Sequence, residues 1–224
     1  NMTVRTDKKM YILTVTITKK LITINYLLTT NNNMMTINKS AQKIMSMLLK
    51  GWGIHTVPFL AHELNMSRQG VWRILKKLEK EELIMLEQMG KGKTSTQRIR
   101  LNLNNELGEK ALALSLTQEA LKYQRWRFDF AELKQKVDFL ILYGSILHSP
   151  KEAKDIDIIG VVAQEKKLAN IEDILLKIQQ TQAKKIHSIN VTQREFEQEL
   201  QKQNRAYRDA IKKGVVLFGQ ENFV

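Results

Sequence analysis

Cysteine is absent from the 224 residues, which excludes disulfides and thiolate metal sites and is compatible with a reducing interior. No apolar run approaches the roughly 18 residues that would cross a bilayer. Nor does a compact apolar stretch followed by a small-residue cleavage site mark a secretory signal. These absences set the expectation of a cytoplasmic chain with no membrane partner. The four histidines (His55, His62, His148 and His187) are scattered without a ligand spacing such as i, i+4 on one helix, so none is assigned to metal. A lysine-bearing phosphate loop of the Walker type, a nucleophile elbow and zinc-finger spacing are missing too, as are internal repeats.

What is present is an ordinary hydrophobic content of 43% and a length sufficient for two small domains, each with its own core. The formal net charge is +13, and it is unevenly spread. Residues 39–100 hold 12 Lys and Arg against 5 Asp and Glu, whereas residues 123–224 hold 17 against 14. A compact basic segment beside a nearly balanced one calls for a polyanionic partner, with double-stranded DNA first in line.

Residues 1–38 form an N-terminal extension rich in Thr, Asn, Ile and Lys. Its first 34 residues read as poorly ordered chain ahead of a domain start at Met35. The alternating stretches Tyr11 to Thr18 and Leu21 to Leu28 leave a second reading open, a β-hairpin used in dimerisation.

From Ser40, read as a helix cap, apolar residues Ile44, Met45, Met47, Leu48 and Leu49 recur at helical spacing and stop before Gly51. Thr56 to Leu64 predicts a short second helix that tolerates Pro58 in its first turn. Ser67 caps a third helix through Leu78. A hairpin follows, with strands Leu83 to Gln88 and Thr96 to Leu101 and a turn at Gly90 and Gly92. The run Phe59 to Val71, with Leu75 to Glu79 and Leu83-Ile84, resembles the helix-turn-helix of winged-helix transcriptional regulators.

That resemblance implies a winged helix-turn-helix domain of three helices and a β-wing over residues 39–102. It also implies that Val71, Ile74, Leu75 and Leu78 face the core. Ser67, Arg68 and Gln69 open the recognition helix, and Arg68, Gln69, Trp72, Arg73, Lys76 and Lys77 are available to DNA. Lys91, Lys93, Arg98 and Arg100 line the wing. Arg and Gln at the start of such a helix suit guanine and adenine edges in the major groove; lysines farther along suit phosphates. Glu82 departs from the pattern, because many relatives place glycine before the wing strand. Residues 103–122 are expected to be a helical connector, a joint or dimer surface, since Gly and Pro are scarce there.

In residues 123–224 the informative stretch is an apolar segment, Phe139 to Tyr143, then Gly144-Ser145, then nine residues, then Asp155-Ile156-Asp157. On a strand, side chains alternate, so the two carboxylates share one face and repel unless a hard divalent cation lies between them. Glycine followed by serine lets a strand end turn its amides toward phosphate. This spacing resembles the minimal nucleotidyltransferases of the polymerase-beta-like superfamily. The resemblance implies a small mixed-sheet α/β domain, so that the whole chain is α+β. It also implies Mg²⁺ with a nucleoside triphosphate as the cofactor, Gly144 and Ser145 on the phosphates, and Asp155 and Asp157 as metal ligands and catalytic acids. Two departures matter. The strand Lys185 to Val191 lacks the third carboxylate of the family, and Ile146 stands where many members place arginine.

The flanking pattern predicts a helix from Tyr123 to Lys136, another from Leu168 to about Gln180, and a capping box at Thr192-Gln193-Arg194-Glu195 opening a helix toward Tyr207. A glycine-led final strand is expected around Val215 to Phe218. Two functions follow. One is a DNA-binding transcriptional regulator whose C-terminal domain holds a metal-nucleotide with little or no transfer. The alternative is an active nucleotidyltransferase that moves a nucleoside monophosphate to a hydroxyl of a protein or small molecule, in the manner of an antitoxin. A homodimer is compatible with either.

Overall fold

The computed structural model describes residues 38–51, 55–89 and 96–224. Residues 1–37 of the N-terminal extension, with the hairpin read there, and the wing residues Lys91 and Lys93 lie outside the described residues. Asn38–Val224 cluster as one compact unit.

Helix α1 (Lys39–Lys50) begins where Asn38, in extended backbone, accepts a hydrogen bond from the Ala41 amide at 2.8 Å. The cap expected at Ser40 therefore lies two residues earlier. Either short polar side chain could satisfy an orphan amide, but Asn38 is the one with non-helical dihedrals. Thr56 caps α2 (Val57–Glu63), with Pro58 in its first turn where no donor is needed. Ser67 caps α3 (Arg68–Lys80) by accepting from the Gly70 amide at 3.0 Å. Val71, Leu75 and Leu78 are buried with Leu60 and Ala61 of α2, while Ile74 is half-buried. Strands β1 (Ile84–Met89) and β2 (Thr96–Leu101) pair antiparallel, Leu86 opposite Ile99 and Glu87 opposite Arg98. His55 adds a bridge to β2, its carbonyl accepting from the Ile99 amide at 3.2 Å.

The connector is helix α4 (Glu106–Ala120), capped by Asn105 on the Gly108 amide at 3.1 Å. It is a joint. Leu112, Ala113, Leu116 and Ala120 are buried, and Leu116 and Ala120 enter the two cores of the sheet that follows. Lys50, at the end of α1, completes the connection. Its ammonium lies 2.6 Å from Glu119 of α4 and donates to the Gly214 carbonyl at 3.0 Å.

The stretch expected as one helix from Tyr123 to Lys136 is instead a 3₁₀ turn (Leu121–Tyr123), helix α5 (Gln124–Asp129) and a second 3₁₀ turn (Ala131–Gln135). Tightening the winding at both ends of a short helix still buries Trp126, Phe130 and Leu133 together.

The sheet comprises β3 (Phe139–Tyr143), β4 (Asp155–Val162), β5 (Lys185–Thr192) and β6 (Val215–Phe218), in the order β5-β4-β3-β6. Strand β4 is antiparallel to β3 and parallel to β5, and β6 is antiparallel to β3. Helix α6 (Leu168–Thr181) covers one face with Ile171, Leu175 and Ile178. The other face carries Phe139, Ile141, Ile159 and Val161 against α7 (Gln193–Gln201) and α8 (Arg205–Lys213). The capping box opens α7: Thr192 accepts from the Glu195 amide while Glu195 accepts from the Thr192 amide at 2.8 Å. The helix does not continue to Tyr207. Gln203 takes a left-handed conformation, φ +59°, and Asn204 caps α8 through the Ala206 amide. After β6 the chain ends in α9 (Gln220–Phe223). The described residues are thus α+β, three helices and a β-hairpin followed by a mixed sheet.

Candidate nucleic-acid interface and carboxylate site

The first four residues of α3 leave their amides pointing out of the helix, and Ser67 answers one of them. Its oxygen accepts one bond as the cap, and its O–H remains to donate to an outside acceptor. Arg68, Gln69 and Arg73 are exposed, with no ion pair or hydrogen bond among the described residues. Their donors are therefore unspent. Lys76 differs. Its ammonium pairs with Glu79 at 2.8 Å and lies 5.0 Å from the Trp72 ring centroid, which holds half-buried Trp72 and exposed Lys76 as a unit. Lys77 pairs loosely with Glu81 at 3.9 Å. On the hairpin, Arg98 is half-buried, and Arg100 reaches across to Glu87 at 3.4 Å. The structure thus gathers Arg68, Gln69, Trp72, Arg73, Lys76 and Lys77 on one exposed side of a single helix. Arg98 lies apart from them on the hairpin strand.

The second set lies at the ends of β3 and β4. Tyr143, the last residue of β3, pairs with Asp157 in register, and Gly144 follows with φ +83°. That conformation suits glycine, and the close approach requires it, because a Cβ at Gly144 would run into the Asp157 carboxylate. Ser145 is exposed and opens a 3₁₀ turn (Ser145–Leu147), its carbonyl accepting from the amides of His148 and Ser149. Asp155 and Asp157 lie on the same face of β4, two residues apart. The glycine turn and the Asp pair are therefore brought together.

Sequence reasoning assigned no role to His187, which is central here. Parallel pairing sets it opposite Asp157, and its Nδ1 lies 3.7 Å from a carboxylate oxygen of each aspartate. It occupies the strand on which a third carboxylate was sought. Counting β5 against β4 from Asp155 would have found it, had the register been known. Burial pushes the Asp157 carboxyl above the usual range; His187 opposes this, and the like charge of Asp155 adds to it. Burial, with Asp157 and then Tyr207 nearby, also raises the Tyr143 hydroxyl.

No group of three or more His, Asp or Glu side chains is arranged to hold a metal ion among the described residues. Two carboxylates nevertheless match what Mg²⁺ takes from a protein when phosphates and water fill its other positions, and both donors are hard oxygens. The pair fits that ion; the imidazole is a poorer ligand for it.

The sequence profile of the winged helix-turn-helix DNA-binding family matches residues 38–85. No curated protein matches the chain in sequence. Among solved structures, the adhesin competence repressor AdcR of Streptococcus pyogenes is 20% identical, covering 54% of this chain and 86% of its own, with a TM-score of 0.34. A variant of ZitR from Lactococcus lactis is 20% identical over 55% of this chain and 84% of its own, with a TM-score of 0.31. A MarR/EmrR family transcriptional regulator from an Acinetobacter species is 17% identical over 58% and 84%, with a TM-score of 0.28. Overlays this loose say nothing further about the chain. The profile and the helix order agree with each other: residues 38–85 are a winged helix-turn-helix DNA-binding segment.

Proposed function

We propose that this chain is a transcriptional regulator that reads duplex DNA with α3 and holds a metal-nucleotide at the ends of β3 and β4. The observation that carries the first half is the row of unspent donors, Arg68, Gln69 and Arg73, at the start of a helix within the matched winged segment. Arg68 and Gln69 read base edges; Arg73, Lys76, Lys77 and Arg98 meet phosphates, with Lys91 and Lys93 extending the contact from the wing.

For the second half, the contact of Gly144 with Asp157 supports a turn shaped around a carboxylate. Asp155 and Asp157 would hold Mg²⁺, and Gly144 and Ser145 would face the phosphates. When bound, the ion would neutralise the carboxylates and polarise the phosphate oxygens. His187 on the neighbouring strand supplies no third carboxylate, which favours binding over transfer.

The same Gly144–Asp157 contact serves a second reading, active transfer of a nucleoside monophosphate to a protein or small-molecule hydroxyl. Two assays separate them. Duplex affinity is expected to fall steeply with salt, and Arg68→Ala with Gln69→Ala to flatten the preference among sequences. Salt-insensitive or absent duplex binding defeats the regulator. Separately, ATP, CTP, GTP or UTP with Mg²⁺ is expected to raise the melting temperature, with the effect lost in Asp155→Ala. Labelled nucleotide carried onto an acceptor in lysate by the wild type, and not by Asp155→Ala, decides for the enzyme.

A further inference from the structure

Strand β5 ends the sheet and is paired on one side only, with β4. Alternate residues of a strand turn their N–H and C=O groups to opposite sides, so one set in β5 bonds β4 and the other faces outward. The outward set is the even-numbered one. The Ile186 amide donates to Gln179 Oε1 of α6 at 2.7 Å, and the Thr192 amide donates to Glu195 Oε2 of α7 at 2.8 Å. Gln179 also donates from Nε2 to the Lys184 carbonyl at 3.0 Å. Side chains therefore close both ends of the edge. Between them, the outward backbone groups of Ser188 and Asn190 have no partner among the described residues. Unmet groups on a strand edge recruit another chain, and proteins normally cover them. Here the middle of the edge is open.

A groove of about 510 Å³ lies beside that opening, between β5 and α6. Ile186, Ser188 and Asn190 line it from the strand, and Glu172, Leu175 and Leu176 from the helix. A short turn joins α6 to β5, so the two run in opposite directions: Gln179 lies beside Ile186, and Glu172 lies toward Asn190. Leu176 is 67% exposed, which leaves its apolar surface open next to the strand. Among the described residues Glu172 is the one charged group in the lining, and no lysine or arginine pairs with it. The groove thus offers a strand edge, an apolar wall and one uncompensated negative charge.

We propose that this edge takes an extended segment of a partner protein, added antiparallel to β5, with an aliphatic side chain on Leu176 and a lysine or arginine on Glu172. The segment's residue opposite Ser188 exchanges both backbone hydrogen bonds with it and points its side chain to the same face, toward Leu175 and Leu176. Two residues away, opposite Asn190, the next side chain on that face meets Glu172. Read from N to C, an antiparallel segment therefore has the order Lys-x-Leu. A second copy of this chain fits less well. Its whole β5 could pair only by displacing Gln179 and Glu195 from the ends of the edge, and it would bring another Glu172 where the groove lacks a cation. The groove shares no residue with the DNA-reading side of α3 or with Asp155, Asp157 and His187, so the proposal rests on neither half of the function given above.

The test titrates the full chain, labelled with nitrogen-15, with the end-capped peptide Thr-Lys-Thr-Leu-Thr. Binding is expected to saturate below about 1 mM, and the Ser188 and Asn190 amide signals to move as those groups gain acceptors. N-methylating the peptide's leucine removes the donor to the Ser188 carbonyl and is expected to weaken binding about tenfold. Glu172→Lys is an exposed change away from both proposed sites. It is expected to bind the original peptide about fivefold more weakly than wild type does, and the peptide with Glu in place of Lys about fivefold more tightly. No saturation by about 1 mM, unmoved Ser188 and Asn190 amides, or an unreversed preference in Glu172→Lys overturns the site. Sedimentation is measured alongside. A dimer that Leu176→Asp converts to monomer would assign the edge to a second copy, and the peptide proposal would fall.

Discussion

Gly144 and Asp157 show how a single residue's lack of a side chain can decide a site. The alternation of Asp155 and Asp157, and the glycine before them, were legible because both are local properties of a strand and a turn. His187 was not, because its place depends on how two strands joined by α6 align. The perturbed carboxyl at Asp157 leads to a pH prediction. Burial raises its folded pKa, so it favours folding where both states are protonated, below the ordinary value of about 3.9, and loses that advantage as pH rises through the folded value. Asp157→Asn, permanently neutral, is expected to be more stable than wild type at pH 7, the gap narrowing as pH falls through the folded value and closed below about 4. Urea midpoints across a pH series measure it, and a gap that persists at low pH would contradict the account. A second residue carries a cost of its own. Glu82 adopts φ +57° at the turn into β1, where the family pattern has glycine. Glu82→Gly is expected to stabilise by up to about 1 kcal/mol, since the strain removed exceeds the chain entropy added. A lower urea midpoint in that variant would mean that the turn is held by its side chain.

At the scale of elements, the helices of the winged segment were readable from period and caps, with α3 beginning after Ser67 as its sequence predicts. Helix ends failed where two caps competed, as at Asn38 and Ser40, or where a break had no glycine or proline to announce it, as at Gln203. That the connector is helical was legible from its apolar spacing and few breakers. What ties it down was not, because Lys50, Glu119 and Gly214 lie far apart in sequence. A lysine side chain only 10% exposed depends on its partners; removing one leaves a charge with nowhere to go. Glu119→Gln is therefore expected to cost about 1–3 kcal/mol, less than for a fully buried pair because Glu119 is 35% exposed. Lys50→Met removes the charge along with its need for a partner, and is expected to be near neutral. Chemical denaturation of both variants decides. Equal losses would show that the pair's attraction matters more than the stranded charge.

For the molecule as a whole, the positive charge is concentrated in one part, and that bears on how it meets DNA. Residues 39–100 carry 12 basic against 5 acidic residues, while the sheet half is nearly balanced at 17 against 14. Binding should thus be governed by counterions released from phosphates facing the winged segment, with log affinity falling by about 0.9 per log unit of salt for each phosphate neutralised. The basic residues are not equivalent in this respect. Arg73 has no ion pair among the described residues, whereas Lys76 already shares its charge with Glu79. Arg73→Ala is accordingly expected to flatten the salt slope by about 1 and weaken all sequences alike; Lys76→Ala should flatten it less. Arg68→Ala should instead compress the spread between good and poor sequences, because a base contact carries discrimination that a phosphate contact does not. Titrating each variant with several duplexes at a series of salt concentrations separates slope from spread. If Arg73→Ala changed the ranking of sequences and left the slope intact, the assignment of reader and anchor along α3 would have to be exchanged.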